Sequence, residues 1–227
     1  IDSAILNYKR AIEHQYNYSK AHYNLGNAYR DHMQFENAAN SYRVAIRLQP
    51  VYPEALNNLG VILQKLRQND EAVECFNKAI QHKPDYSDAY YNLGISNVHN
   101  EDYTNASNCF EKSLSYNPGS ATTHNGIANL FKELNDIDRA VYHYNKAIEL
   151  NEYCYEAYFG LSLIGNQAID PNIFNKMTHL AKATKKPNSL LYYLDFALAR
   201  EYERKGDFEK SYLFYANGNR LRRNELK

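Results

Sequence analysis

The chain has 227 residues, with 26 Lys plus Arg against 26 Asp plus Glu and therefore no net charge. That balance excludes a global electrostatic footprint for nucleic acid or for an acidic membrane surface. No apolar run approaches the ~20 residues of a membrane span, and no basic-then-apolar signal opens the chain.

Cys75, Cys109 and Cys154 are odd in number and widely spaced, which argues against a disulfide framework. A reducing compartment suits them, and a cytoplasmic location is expected. The chain begins Ile1-Asp2-Ser3 without Met, which leaves open a longer parent protein and its targeting. Tyr is common at 22 and Trp is absent, so Tyr supplies aromatic bulk with a hydroxyl that can stay wet.

A period of 34 residues organises the rest: Ala21-His-Tyr-Asn-Leu-Gly-Asn-Ala-Tyr29 returns as Ala55-Leu-Asn-Asn-Leu-Gly-Val-Ile-Leu63 and as Ala89-Tyr-Tyr-Asn-Leu-Gly-Ile-Ser-Asn97. Thr123-His-Asn-Gly-Ile-Ala-Asn-Leu-Phe131 is a blurred fourth copy. A fixed period of this length predicts a stacked array of helix pairs.

Residues 1–18 read as the back half of one repeat, a helix B alone. Ala4, Tyr8 and Ala11 occupy the small–aromatic–small pattern of that helix. Ile5, Tyr8 and Ile12 are then partly uncovered, so a longer parent or a partner packed on this end is expected. Self-assembly into a homo-oligomer through this helix is one reading.

Four regular repeats follow at 19–52, 53–86, 87–120 and 121–154. Repeat position 7 is Leu25, Leu59, Leu93 and Ile127; position 8 is Gly26, Gly60, Gly94 and Ala128. Position 20 is Ala38, Ala72, Ala106 and Ala140, and position 24 is Tyr42, Phe76, Phe110 and Tyr144. Position 27 is Ala45, Ala79, Ser113 and Ala147. Small residues at positions 8, 20 and 27 allow close helix approach, and large ones at 7 and 24 fill the space between. Pro50, Pro84 and Pro118 end three of the repeats, since Pro cannot continue a helix interior. Asp102 and Asp136 are expected N-caps of helix B.

The unit at 155–191 decays. Tyr158, Leu161 and Ala181 keep the register, but Gly165 replaces the aromatic of position 11 and Phe174 the small residue of position 20. Its helix B is expected to start late, with Asp170 as N-cap, Pro171 first in the helix and Ile169 stapled to Phe174. Lys185-Lys-Pro-Asn188 is expected to end it. From residue 192 the register returns in Leu198, Ala199, Tyr202, Ser211, Tyr215 and Gly218. Asn219-Arg-Leu-Arg-Arg223 extends the last helix, and its short basic run reads as a solvated helix end.

These positions resemble the consensus of the tetratricopeptide repeat family. The resemblance implies an all-α fold, a right-handed superhelical solenoid of antiparallel helix pairs whose A helices line a concave groove. It also implies that repeat positions 2, 5, 6, 9, 12 and 13 point towards that groove.

Catalytic motifs are absent: there is no phosphate loop, no His-Glu-x-x-His, no Cys-x-x-Cys and no Gly-x-Ser-x-Gly. The chain itself is expected to be no enzyme, with no catalytic residue, metal site or cofactor. His22 and His124 share one repeat position and read as packing residues.

The informative polar residues fall at groove positions. Asn24, Asn58 and Asn92 recur at position 6, beside Tyr23, Asn57 and Tyr91, with Asn27 one helical turn from Tyr23. An amide offers both donor and acceptor, which suits the backbone of an extended peptide whatever its sequence. Two readings stand side by side: these amides bind peptide, or they bond to the neighbouring helix and fix the superhelix. The candidate peptide-binding set is Tyr23, Asn24, Asn27, Asn57, Asn58, Tyr91 and Asn92.

The array is also similar to the repeats of O-linked N-acetylglucosamine transferases, whose Asn ladder binds extended substrates. By that resemblance Asn24, Asn58 and Asn92 are its counterparts, and the ladder fails at Gly126 and Gly160. A chaperone-type carboxylate clamp needs Lys or Arg at groove positions across adjacent repeats, and position 2 here reads Lys20, Glu54, Asp88 and Thr122, which argues against it. Leu194-Asp-Phe-Ala-Leu-Ala-Arg200, Gly206-Asp-Phe-Glu-Lys-Ser-Tyr212 and Asn219–Arg223 resemble the last repeat of bacterial tetratricopeptide–sulfotransferase proteins.

The expected partner is a protein or an extended peptide segment, with no nucleic acid and no membrane. The function expected first is a protein-binding scaffold. The second reading is the substrate-recruiting region of a larger sulfotransferase or glycosyltransferase.

Overall fold

The structure, a computed structural model, describes residues 2–14, 18–165, 169–183 and 190–225. All regular structure among them is helical. In order the helices are α1 (Asp2–His14), α2 (Ser19–Asp31), α3 (Phe35–Leu48), α4 (Pro53–Lys65), α5 (Asn69–His82), α6 (Ser87–His99) and α7 (Tyr103–Tyr116). They continue as α8 (Ala121–Glu133), α9 (Ile137–Leu150), α10 (Tyr155–Leu163), α11 (Pro171–Ala183), α12 (Leu191–Arg204) and α13 (Phe208–Glu225). The chain divides into two compact units, Ile1–Pro118 and Gly119–Lys227.

In the first unit α2, α4 and α6 are the A helices and pair with α3, α5 and α7. What brings each pair together is a glycine under an aromatic ring. A Cβ on Gly26 would stand 2.6 Å from the Tyr42 ring, on Gly60 2.6 Å from Phe76, and on Gly94 2.7 Å from Phe110. Those three rings have no exposed surface, and neither do Ala38, Ala72 and Ala106 beside them. The Leu-Gly and aromatic positions of the repeat are therefore two halves of one packing contact.

The turn between A and B helices is equally regular. Met33, Arg67, Glu101 and Asn135 all take the left-handed backbone conformation, with φ between 56 and 63°. Gly206, at the corresponding place in the last pair, has φ 76°. The next amide then reaches back across the helix end, as in Gln34 N to Tyr29 O at 2.9 Å and Asp102 N to Asn97 O at 2.9 Å. This satisfies a terminal carbonyl that the helix leaves open. The side chains of Asp102 and Asp136 accept from Asn105 N and Arg139 N, so both cap their B helices as the sequence predicts.

The second unit begins with a regular pair, α8 and α9, and then departs from the pattern. Helix α10 has nine residues, where α2, α4, α6 and α8 have 13. Its early end is capped from α12: Arg200 Nε donates to Ser162 O at 3.1 Å, and Arg204 donates to Ser162 O at 2.7 Å and to Gly165 O at 3.0 Å. Glu201, fully buried, pairs with Arg204 and accepts from Ile169 N at 3.1 Å. As expected, α11 starts late at Pro171, and Asp170 accepts from Asn172 N at 2.7 Å. Helix α10 lies against α12, and α12 pairs with α13, which runs unbroken through Arg222 and Arg223. The predicted stop at Lys185–Asn188 lies outside the described residues.

Candidate functional site

The A helices of the first unit place the predicted polar residues side by side on α2, α4 and α6. Asn58 Nδ2 donates to Asn27 Oδ1 at 3.1 Å and to the Tyr23 hydroxyl at 3.2 Å. One repeat later, Asn92 Nδ2 donates to Asn57 Oδ1 at 2.9 Å. Each bond joins one A helix to the next, so the amides act as staples along the array. Asn27 Oδ1 also accepts from the Tyr42 hydroxyl at 2.7 Å, which uses both its lone pairs. Asn57 is buried at 5 % exposure.

The staples use only one end of each amide. Asn58 Oδ1, Asn92 Oδ1 and Asn27 Nδ2 make no hydrogen bond among the described residues. The buried side-chain polar atoms without a partner there are Asn125 Oδ1 and the Tyr158 hydroxyl, so the free ends of the ladder meet solvent. Asn24, half-buried on α2, has neither end engaged within the described residues.

Tyrosine rings flank this row. Tyr23 lies 5.0 Å from Tyr52 and 5.9 Å from Tyr42, centroid to centroid, and Tyr91 lies 6.0 Å from Phe110. Burial pushes the Tyr42 hydroxyl up to about 12, so it stays a neutral donor at any physiological pH. The arrangement offers amide donors and acceptors on a partly aromatic surface, with the Arg30–Asp31 ion pair at 2.9 Å near Tyr42.

The rest of the molecule offers little reactive chemistry. Cys75 and Cys154 are buried and Cys109 half-buried, all free, and burial pushes the Cys75 and Cys154 thiols up to about 11. No group of three or more His, Cys, Asp or Glu among the described residues could hold a metal ion. No helix among the described residues is long and apolar enough to cross a membrane.

His124 is buried, as its repeat position predicts, and its Nδ1 lies 2.9 Å from His143 Nδ1. One of the two must donate and the other accept, so the pair tolerates one proton between these nitrogens. Burial, then His124 and Arg139, hold His143 down to about 4.

Sequence reasoning missed one relationship that two repeat positions spell out together. Where position 24 is Tyr, position 9 is Asn, as in Tyr42–Asn27 and Tyr144–Asn129, bonded at 2.7 and 2.6 Å. Where position 24 is Phe76 or Phe110, position 9 is Val61 or Ile95. Asn27 is thus matched first to its own repeat.

Comparison with known proteins identifies the repeat. Models described as tetratricopeptide repeat match residues 53–86 and 85–152, and one described as TPR repeat matches residues 26–66, together more than half of the chain. No curated protein matches the sequence significantly. Among solved structures, a tetratricopeptide repeat protein from Parabacteroides merdae shares 19% identity at TM-score 0.71, over 97% of this chain and 86% of that one. YrrB, described as a TPR protein with an unusual peptide-binding site, shares 17% identity at TM-score 0.57, over 90% of this chain and 95% of that one. MamA from Desulfovibrio magneticus RS-1 shares 21% identity at TM-score 0.60, over 67% of this chain and 86% of that one. At such identities the likeness is one of fold.

Proposed function

We propose that this chain, a tetratricopeptide repeat protein over residues 26–152, is a non-catalytic scaffold that binds an extended peptide along α2, α4 and α6. The observation that carries the reading is the divided use of the ladder. Asn58 and Asn92 spend their amide nitrogens on the preceding A helix and keep their carbonyl oxygens free. Asn27 does the reverse, and Asn24 keeps both ends free. Free acceptors on α4 and α6, a free donor on α2 and both on Asn24 supply the two kinds of group that the N–H and C=O groups of an extended backbone need. Tyr23 and Tyr91 add flat contact area at small entropic cost.

The reading is tested with peptides recovered from a random dodecapeptide display library on the full chain. N-methylation of alternate peptide amides should weaken binding by about tenfold or more, the loss of roughly one good hydrogen bond. Single alanine replacements along the peptide should cost less. The opposite ranking, or failure to recover any peptide, contradicts backbone recognition.

The finer likenesses rest on residue patterns. Asn24, Asn58 and Asn92 support kinship with the O-linked N-acetylglucosamine transferase ladder, and residues 194–223 support kinship with the sulfotransferase-linked repeats. Under that second reading the groove recruits acceptor substrate for a fused catalytic domain, and the codons that follow Lys227 test it. Exposed Leu6 on α1 supports self-association through this end, which light scattering tests.

A further inference from the structure

The second unit contains a cleft of about 620 Å³ between α9, the end of α10 and the start of α11. It has a definite cause. Helix α10 stops one turn short of the other A helices, and Gly165 stands where Leu63 and Phe131 fill their repeats. Arg200 and Arg204 take up the carbonyls at that early end, so the missing turn is held open by hydrogen bonds from α12.

The cleft's walls are Ile137 and Val141 on α9, Leu161 and Ile164 at the end of α10, and Ile169 and Ile173 at the start of α11. Asp138, Asn145 and Asp170 stand among them, and no Lys, Arg or His is among the described residues that line the cleft. Neither carboxylate makes an ion pair among the described residues. Asp138 sits in the first turn of α9 and Asp170 at the start of α11. A volume of this size lies within the ~300–1,000 Å³ of ordinary ligand pockets, and aliphatic walls with a few polar groups are their usual lining.

We propose that this cleft is a second binding site, separate from the A-helix ladder, which takes a bulky apolar side chain of a partner peptide followed by a lysine or arginine. The apolar anchor replaces the side chain that Gly165 lacks. The adjacent cation meets Asp138 and Asp170 at the rim. The occupant is a basic-apolar peptide segment, because a single side chain does not fill the cleft and the carboxylates demand a positive neighbour.

The test uses the full chain with isoleucine δ1-methyl labels and the peptide acetyl-Ser-Leu-Phe-Lys-Ser-amide. Saturable shifts should appear at the methyls of Ile137, Ile164 and Ile173. The same peptide with Glu in place of Lys should bind about tenfold or more weakly. Val141→Phe fills the cleft and should abolish binding. In the Asp138→Asn, Asp170→Asn double variant, the Lys peptide and its norleucine version should bind within about twofold of one another. Three results would each overturn the proposal: no saturable shift at these methyls, unchanged binding to folded Val141→Phe, or phenethylamine binding as tightly as the peptide. The methyl shifts of the wild-type chain decide the matter even if a variant fails to fold.

Discussion

The Tyr42 hydroxyl donates to Asn27 Oδ1 at 2.7 Å, and that same oxygen receives Asn58 Nδ2 from the next A helix at 3.1 Å. One amide oxygen thus joins helix B to helix A within a repeat and one repeat to the next. Replacing Asn27 by Val leaves the Tyr42 hydroxyl, on a residue with no exposed surface, without its acceptor. The expected cost is about 1–3 kcal/mol by urea unfolding. Adding Tyr42→Phe should recover most of it, because the pair then reproduces Phe76 with Val61. Simple additivity of the two losses would mean that the bond is not the coupling element.

The contact of Gly60 with Phe76 makes a second prediction. Gly60→Ala sets a methyl 2.6 Å from a ring that has no room to retreat, and should destabilise by about 1–3 kcal/mol. The fourth repeat has Ala128 at this position, and its aromatic presses on a glycine of the next helix instead: a Cβ on Gly160 would stand 2.3 Å from the Tyr144 ring. Gly160→Ala should therefore destabilise as Gly60→Ala does. Thermal melts showing either variant at the wild-type midpoint would contradict this packing.

The second unit should respond to acid through two groups of opposite sign. His143 is held down to about 4 from 6.5, so the unfolded chain takes up its proton first. Its contribution is present above pH 6.5 and is lost as pH falls to about 4. Asp195, 2 % exposed on α12, is pushed up to about 6 by burial, against the bond from Asn217 and the charge of Arg220. Its contribution is present below its ordinary 3.8 and is lost as pH rises through about 6. Subtracting the stability profile of His143→Phe from that of the wild type should leave a loss on acidification between pH 6.5 and 4. Subtracting that of Asp195→Asn should leave a loss on alkalinisation between 3.8 and 6. Differences of the reverse sign would contradict the burial of either group.

The repeats were legible because packing repeats with the chain: Leu25, Gly26, Ala38 and Tyr42 return at fixed spacing in the same contacts. The left-handed turn was not, since Met33, Arg67 and Glu101 share no side-chain chemistry and only Asn135 and Gly206 are residues that favour it. The turn is imposed by the helices it joins. The short α10 was foreshadowed by Gly165, but its caps, Arg200 and Arg204, lie 38 and 42 residues beyond Ser162 and bear no local sign of that task. At the candidate site the residue types were visible and the division of labour was not. Which end of an amide is spent on a neighbour depends on the stagger between A helices, which spacing alone does not set.

Asn24 separates recognition from architecture, because among the ladder residues it has no hydrogen bond within the described chain, whereas Asn58 Nδ2 bonds to Tyr23 and Asn27. The most direct measurement is therefore the affinity of the full chain for a library-selected peptide, paired with its melting midpoint, for Asn24→Ala and Asn58→Ala. The account predicts that Asn24→Ala weakens binding by about fivefold or more with an unchanged midpoint, while Asn58→Ala lowers both, with a stability loss of about 0.5–1.5 kcal/mol. Unchanged affinity in Asn24→Ala, with a lowered midpoint alone in Asn58→Ala, would reduce the ladder to a staple between repeats and contradict peptide recognition by this face.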